Sequence, residues 1–122
     1  MFDHLGLRVK QLERSIKFYE AVLAPLGYVL CSRDASSAGL GPRGEPALWL
    51  YASEEAGGGV HLALRAKARA AVARFHAAGV AAGGKDHGAP GVRADYAANY
   101  YAAFLLDPDG NNVEAVCYAE EA

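Results

Sequence analysis

The sequence predicts an α+β protein in which two βαβββ modules pair into one curled mixed sheet around a cleft. Three observations predict this fold. A seven-residue phrase near the N-terminus returns in the second half of the chain, each copy precedes a helical pattern, and short apolar segments follow each helix. Each module would bury one face of its sheet under its helix, so the other face is free to line the cleft.

The repeated phrase indicates an internal duplication. HLGLRVK at 4–10 returns as HLALRAK at 61–67, and the same spacing relates Phe18 to Phe75. The acidic, glycine-rich piece EEAGGG at 54–59 separates the two copies and is typical of a linker.

The duplication sets the predicted domain organisation. We expect one domain over residues 1–122, with a first module at about 1–54, a linker at about 54–59 and a second module at about 60–122.

Each half contains one helix and several strand candidates. Apolar residues recur at helical spacing over 12–23 and again from Ala68 to Gly79, and proline or glycine follows each pattern. The glycine-rich segment KDHGAPG at 85–91 is predicted to be a loop, and DPDG at 107–110 a hairpin turn. The predicted strands outside the repeated phrase are YVLCSR (28–33), ALWLYA (47–52), NYYAAFLL (99–106) and NNVEAVCY (111–118).

The two-residue period of a strand places the repeated histidines in the cleft. Leu5, Leu7 and Val9 share one face of the first strand, which should pack under the helix. His4 and His61 then point the other way, and the duplication makes them face each other.

Glu114 supplies a third possible metal ligand. It lies in an apolar strand but has the opposite phase to Val113 and Ala115, so it points away from the core. A carboxylate there is costly unless it is paired or binds a cation. Two imidazoles and one carboxylate leave about three positions open on an octahedral ion, which suits Fe(II) and also Mn(II), Ni(II), Co(II) or Zn(II). The alternative is that the histidines form ordinary hydrogen bonds and the carboxylate is solvated.

Composition excludes several other classes of protein. The net charge of −2, with both signs scattered along the chain, provides no basic surface for nucleic acid. No apolar run is long enough to span a membrane, and no secretory signal begins the chain. Two distant cysteines, Cys31 and Cys117, do not form a disulfide framework. We therefore expect a cytoplasmic protein.

Three segments resemble the vicinal oxygen chelate superfamily, which includes glyoxalase I, extradiol dioxygenases, fosfomycin-modifying thiol transferases and bleomycin-resistance proteins. They are DHLGLRVKQLERSIKFYEAVLAPLGY (3–28), VHLALRA (60–66) and YYAAFLLDPDGNNVEAV (100–116). The resemblance implies the fold already predicted, with His4, His61 and Glu114 as ligands of one divalent metal ion. It also implies a homodimer, in which the metal site belongs to one chain or is shared between two.

Departures from the subfamily patterns narrow the expected activity. PALWLYA at 46–52 lacks the fourth ligand usual in glyoxalase I, GVRADYAANYY at 91–101 has no counterpart of the potassium loop of the thiol transferases, and the chain is short for an extradiol enzyme. We expect a divalent-metal-dependent glyoxalase-like enzyme, a lyase, isomerase or transferase, that chelates a small oxygenated substrate. The alternatives are a non-catalytic, ligand-sequestering protein of the bleomycin-resistance type and an Fe(II) extradiol-type dioxygenase.

Further residues are predicted to line the site. Glu114 and Tyr100 are the candidate catalytic residues, although Tyr100 could equally be an aromatic packing residue. Trp49, Arg93 and Tyr100 are the candidate substrate-binding residues. The pattern does not decide whether Trp49 or Leu48 faces the cleft, and Arg93 is either an anion-binding residue or a solvated loop arginine.

Overall fold

The computed structural model describes residues 1–120 and confirms the α+β class with two βαβββ units. Residues 121 and 122, the end of the predicted second module, lie outside the described residues. The first unit comprises β1 (Leu5–Val9), α1 (Leu12–Leu23), β2 (Val29–Arg33), β3 (Ser37–Gly41) and β4 (Leu48–Ala52), with a short 3-10 turn at Ala24–Leu26. The second comprises β5 (His61–Arg65), α2 (Arg69–Ala81), β6 (Lys85–Val92), β7 (Tyr101–Leu106) and β8 (Asn112–Cys117).

The two units share one topology. Their four-stranded sheets have the orders β1-β4-β3-β2 and β5-β8-β7-β6, and in each the first strand pairs in parallel with the last. The sheets are not hydrogen-bonded to each other within residues 1–120, so β1 and β5 each lie at the edge of a sheet. One chain therefore presents two separate open faces.

The helix-covered faces of both sheets meet in a single core. Phe18 of α1 and the equivalent Phe75 of α2 are fully buried in one cluster of apolar side chains from both units. A Cβ atom at Gly79 would lie 2.9 Å from Val22 Cγ1 of α1, and one at Gly84 would lie 2.4 Å from Phe18 Cε1. Glycine at these positions lets the two units approach closely.

The prediction that 85–91 forms a loop is wrong. Lys85–Val92 is strand β6, which pairs with β7 through an irregular register that shifts on both sides of Gly88. The register includes no partner for Pro90, which lies inside the second irregularity. Such irregularities accommodate the glycine and proline that normally interrupt a strand.

The DPDG turn is anchored to helix α1 by a buried hydrogen bond. The Tyr19 hydroxyl donates to Asp107 Oδ2 over 2.6 Å, and the Asn111 side chain donates to the same oxygen over 3.0 Å. Asp107 Oδ1 accepts from the backbone N–H groups of Asp109 and Asn111. Burial, and then the negative charge of Asp107, raise the pKa of Tyr19 above its ordinary value of 10.

Replacing Tyr19 with phenylalanine is expected to lower the free energy of unfolding by about 1–2 kcal/mol at pH 7, because the buried carboxylate loses one donor. The raised pKa means that the folded state favours the protonated phenol. The contribution of the Tyr19 hydroxyl to the free energy of unfolding is therefore fully present below pH 10 and is lost as the pH rises further. The difference in stability between wild type and Tyr19→Phe should shrink above pH 10. Urea denaturation between pH 7 and 11 measures it, with Tyr28→Phe as the control. A difference independent of pH, or absent at pH 7, would contradict the assignment.

Candidate functional site

The open face of the second sheet carries a buried glutamate in contact with two polar side chains. Glu114 is only 2% exposed, and its Oε1 lies 2.7 Å from His61 Nε2. The Tyr100 hydroxyl donates to Glu114 Oε2 over 2.6 Å. The structure therefore brings together three of the residues predicted from the sequence.

Strand register explains why these side chains meet. On β5 and β8, His61 is opposite Asn112 and Ala63 is opposite Glu114. His61 and Glu114 are therefore diagonal neighbours on one face, and the small side chain of Ala63 leaves room for the carboxylate to reach the imidazole. Tyr100 immediately precedes β7, whose Phe104 is opposite Glu114.

The site combines a buried anion with an exposed imidazole. The His61 side chain is 54% exposed, so the His61–Glu114 pair is open to solvent on one side. Burial and the hydrogen bond to Glu114 raise the pKa of Tyr100 above its ordinary value. The phenol, which is protonated at neutral pH in any case, acts as a donor to the carboxylate.

Two further tyrosines, which the sequence analysis missed, extend the site. The ring of Tyr100 makes edge-to-face contacts with Tyr96 and Tyr118, at centroid distances of 5.0 and 5.5 Å, and Arg65 lies over Tyr118. Tyr118 has the same phase as Glu114 along the chain, and this signal could have identified it. These rings form an aromatic wall beside the carboxylate.

The third predicted metal ligand lies elsewhere in the chain. His4 immediately precedes β1, its side chain is 55% exposed, and its Nδ1 lies 2.6 Å from Asp3 Oδ1. It borders an apolar groove of about 300 Å³ that also includes Leu5 and Leu62. Within residues 1–120, no three His, Cys, Asp or Glu side chains lie close enough to share a metal ion.

Trp49 lies on the first sheet. Leu48 is buried in the core, so the alternation that the sequence left undecided places Trp49 on the open face. A Cβ atom at Gly39 would lie 2.9 Å from two carbons of the indole, which shows how closely the ring covers the neighbouring strand. Trp49 and Glu114 therefore belong to different sheets within one chain.

Arg93 lies on the same sheet face as Glu114. Its guanidinium donates to the backbone carbonyls of Gly91 and Ala89 over 2.9 and 2.6 Å and lies 5.5 Å from the centre of the Phe104 ring. Because Phe104 is opposite Glu114, the folded sheet brings Arg93 towards the carboxylate.

In the part of the chain described, no helix has both the length and the apolar character needed to cross a bilayer.

Comparison with known proteins identifies the family. The fold places this chain in the class of α+β proteins that consist of two βαβββ units, each with a mixed sheet open on one face. The family model of the Glyoxalase/Bleomycin resistance protein/Dioxygenase superfamily matches residues 1–115, and the chain belongs to this superfamily. The resemblance and fold predicted from the sequence are thereby confirmed.

Solved structures agree with this assignment. A glyoxalase/bleomycin resistance protein from Albidiferax ferrireducens T118 is 32% identical over 96% of this chain and 98% of that one, with a TM-score of 0.83. A family enzyme from Burkholderia phytofirmans PsJN, 21% identical over 96% and 98% of the two chains, has the same fold with a TM-score of 0.74. A glyoxalase I mutant from Zea mays is 27% identical over 96% of this chain and 46% of its own, with a TM-score of 0.70. No curated protein matches the chain significantly.

Proposed function

We propose that this protein is a divalent-metal-dependent, glyoxalase-like enzyme, a lyase, isomerase or transferase, acting on a small oxygenated substrate. The observation that carries the proposal is the contact between His61 Nε2 and the buried Glu114 carboxylate, at 2.7 Å. Burying a carboxylate beside a solvent-exposed imidazole on a sheet face lowers stability, and such arrangements are typical of catalytic and metal-binding sites.

The chemistry of this pair fits a divalent ion. Imidazole nitrogen and carboxylate oxygen are ligands of Fe(II), Mn(II), Ni(II), Co(II) and Zn(II), and His61 and Glu114 would hold the ion. When bound, such an ion supplies a Lewis acid that polarises substrate oxygens. The Tyr100 hydrogen bond would fix the orientation of Glu114.

A second copy of the chain is proposed to supply the remaining ligand, His4. β1 and β5 are both edge strands, and unpaired edges are ready to pair with another chain. Exposed apolar side chains flank both histidines: Phe2 and Leu5 are 70% and 40% exposed beside His4, and Val60 is 37% exposed beside His61. A twofold dimer would cover these residues and place the open face of one chain's first sheet against that of the partner's second sheet.

The same dimer gives Trp49 a role. On the open face of the first sheet, its indole would form part of a cleft closed by the second sheet of the partner chain. We propose that it contacts the substrate there.

Glu114 is also the proposed general base. Among residues 1–120 the other buried carboxylate, Asp107, is in the turn and accepts four hydrogen bonds. Glu114 instead lies on an open face, where it could take a proton from a carbon next to a substrate carbonyl. The proposal places the enzyme in the cytoplasm, where its free thiols, Cys31 and Cys117, would stay reduced.

A ligand-sequestering protein is the second candidate, because a single chain brings together only two of the three expected ligands. Metal titration separates the candidates. Protein purified without chelator and titrated with Ni(II) or Zn(II) should bind one ion per chain. Absence of saturable binding in the dimer would contradict the proposed enzyme and favour sequestration.

Removing the Tyr100 hydroxyl is expected to weaken metal binding by about tenfold. Tyr100→Phe frees Glu114 Oε2, and outer partners of a ligand typically change metal affinity by about 10–100-fold. Calorimetric titration with Zn(II) measures the effect. Tyr101→Phe is the matched control, because Tyr101 packs against the core and under Arg69 on the opposite face. Equal affinities for the two variants would show that Tyr100 does not position the carboxylate.

A further inference from the structure

Arg93 has unused hydrogen-bonding capacity in a fixed position. A guanidinium has five N–H donors, and the contacts with Gly91 and Ala89 occupy two nitrogens. No carboxylate of residues 1–120 lies within salt-bridge distance of Arg93. The backbone carbonyls and the Phe104 ring hold the group in place, but its charge has no counterion among residues 1–120.

Arg93 lines a pocket that contains a second unmatched polar group. The pocket, of about 270 Å³, is bordered by His87, Gly88, Arg93, Tyr96, Phe104 and Asn112. Asn112 Oδ1 is buried and has no hydrogen-bond partner. Buried polar atoms in folded proteins are nearly always paired, so this atom indicates a missing partner. Arg93 borders a space that a ligand would fill. The Asn112 oxygen is a buried acceptor, which would pair with a donor group and not with a carboxylate, so Arg93 alone indicates an anionic ligand.

The pocket adjoins the proposed metal site. Phe104 is opposite Glu114 across the strand pair, and Asn112 precedes Glu114 on the same strand face. The Arg93 guanidinium lies 5.5 Å from the centre of the Phe104 ring, and the Cβ atoms of cross-strand neighbours such as Phe104 and Glu114 are about 5 Å apart. The guanidinium and the carboxylate are therefore on the order of 10 Å apart. One small molecule can span that distance.

We propose that this pocket binds a carboxylate of the substrate through Arg93, while the oxygens at the other end of the molecule bind at His61 and Glu114. The inference rests on the proposed function and specifies its substrate class, a small oxygenated acid. The planar guanidinium matches a carboxylate. A phosphate dianion is a poorer match, because Arg93 is the only permanent cation that borders the pocket in the described part of the chain.

Two hydroxamates test the proposal on the Ni(II)-loaded protein. Hexanohydroxamate carries the chelating group on a neutral chain, and adipic monohydroxamate has a carboxylate in place of its terminal methyl. We expect the acid to bind wild type about tenfold more tightly, in line with one charge-assisted hydrogen-bonded pair. In Arg93→Gln this preference should fall below about twofold, with the affinity for the neutral compound unchanged. Arg43→Gln, an exposed loop variant, should keep the preference.

The control outcomes separate this inference from the proposed function. If wild type binds both hydroxamates equally, or Arg93→Gln keeps the preference, the carboxylate pocket is refuted. If neither hydroxamate binds, the proposed metal site is refuted, and the carboxylate pocket is then tested by titrating metal-free protein with acetate. The NMR resonance of the Arg93 Nε–H group should shift saturably in this titration, and a resonance that does not shift overturns the inference. This second measurement needs no variant and so does not depend on how Arg93→Gln folds.

Discussion

Glu114→Gln is expected to lower the affinity for a divalent metal by at least about 100-fold and to leave the fold intact. The substitution removes the charge of the only buried carboxylate on the open faces of residues 1–120. Removing the charge of a metal ligand should lower the metal affinity by more than the roughly 10–100-fold that is typical of removing a hydrogen-bond partner of a ligand. Glutamine has nearly the same shape and can still accept from Tyr100 and donate to His61, so the buried contacts are kept.

Calorimetric titration with Zn(II) and thermal unfolding of the same samples check this result. Glu54→Gln in the exposed linker removes a similar charge away from the site and should bind metal like wild type. Unchanged metal affinity in Glu114→Gln would show that Glu114 is not a ligand.

Phe18→Ala is expected to destabilise the protein by about 3–5 kcal/mol, the usual range for removing a fully buried phenylalanine. Phe18 lies where the two units meet, because its ring closely approaches the backbone after α2 at Gly84. Since both units contribute to one core, the loss should appear as a single cooperative transition at lower denaturant. Urea unfolding followed by circular dichroism and by tryptophan fluorescence measures it.

The neighbouring substitution Lys17→Ala serves as the control. Lys17 is exposed on the same helix and should change the unfolding free energy by less than about 0.5 kcal/mol. Two separate transitions in Phe18→Ala would contradict a shared core.

Local periodicity accounts for the features that the sequence predicted. The two-residue period is a property of any strand, so the phases of His61 and Glu114 follow once each strand is recognised, whereas the phase of Leu48 and Trp49 was decided only by the structure. The duplication gives both units the same topology, because similar hydrophobic patterns in the two halves form the same order of strands and helix. The contact between His61 and Glu114 follows from these phases and from the parallel pairing of β5 with β8.

Features that depend on distant pairing were not accessible from the sequence. KDHGAPG forms a strand because β7 pairs with it and its irregular register accommodates Gly88 and Pro90, which composition alone cannot show. The position of Arg93 depends on that same irregular pairing. The separation of His4 from Glu114 depends on how the two units pack. Helices α1 and α2 pack against each other, while β1 and β5 each have one edge without a partner strand within residues 1–120.

A mixed dimer tests the central claim that two chains build each metal site. His4→Ala and Glu114→Gln subunits, carrying different affinity tags, are combined, and the heterodimer is isolated and titrated with Zn(II). One of its two sites would contain both substitutions and the other neither, so we predict one tightly bound ion per heterodimer and none in either parent dimer. A heterodimer that binds no more tightly than its parents would contradict a site shared between subunits.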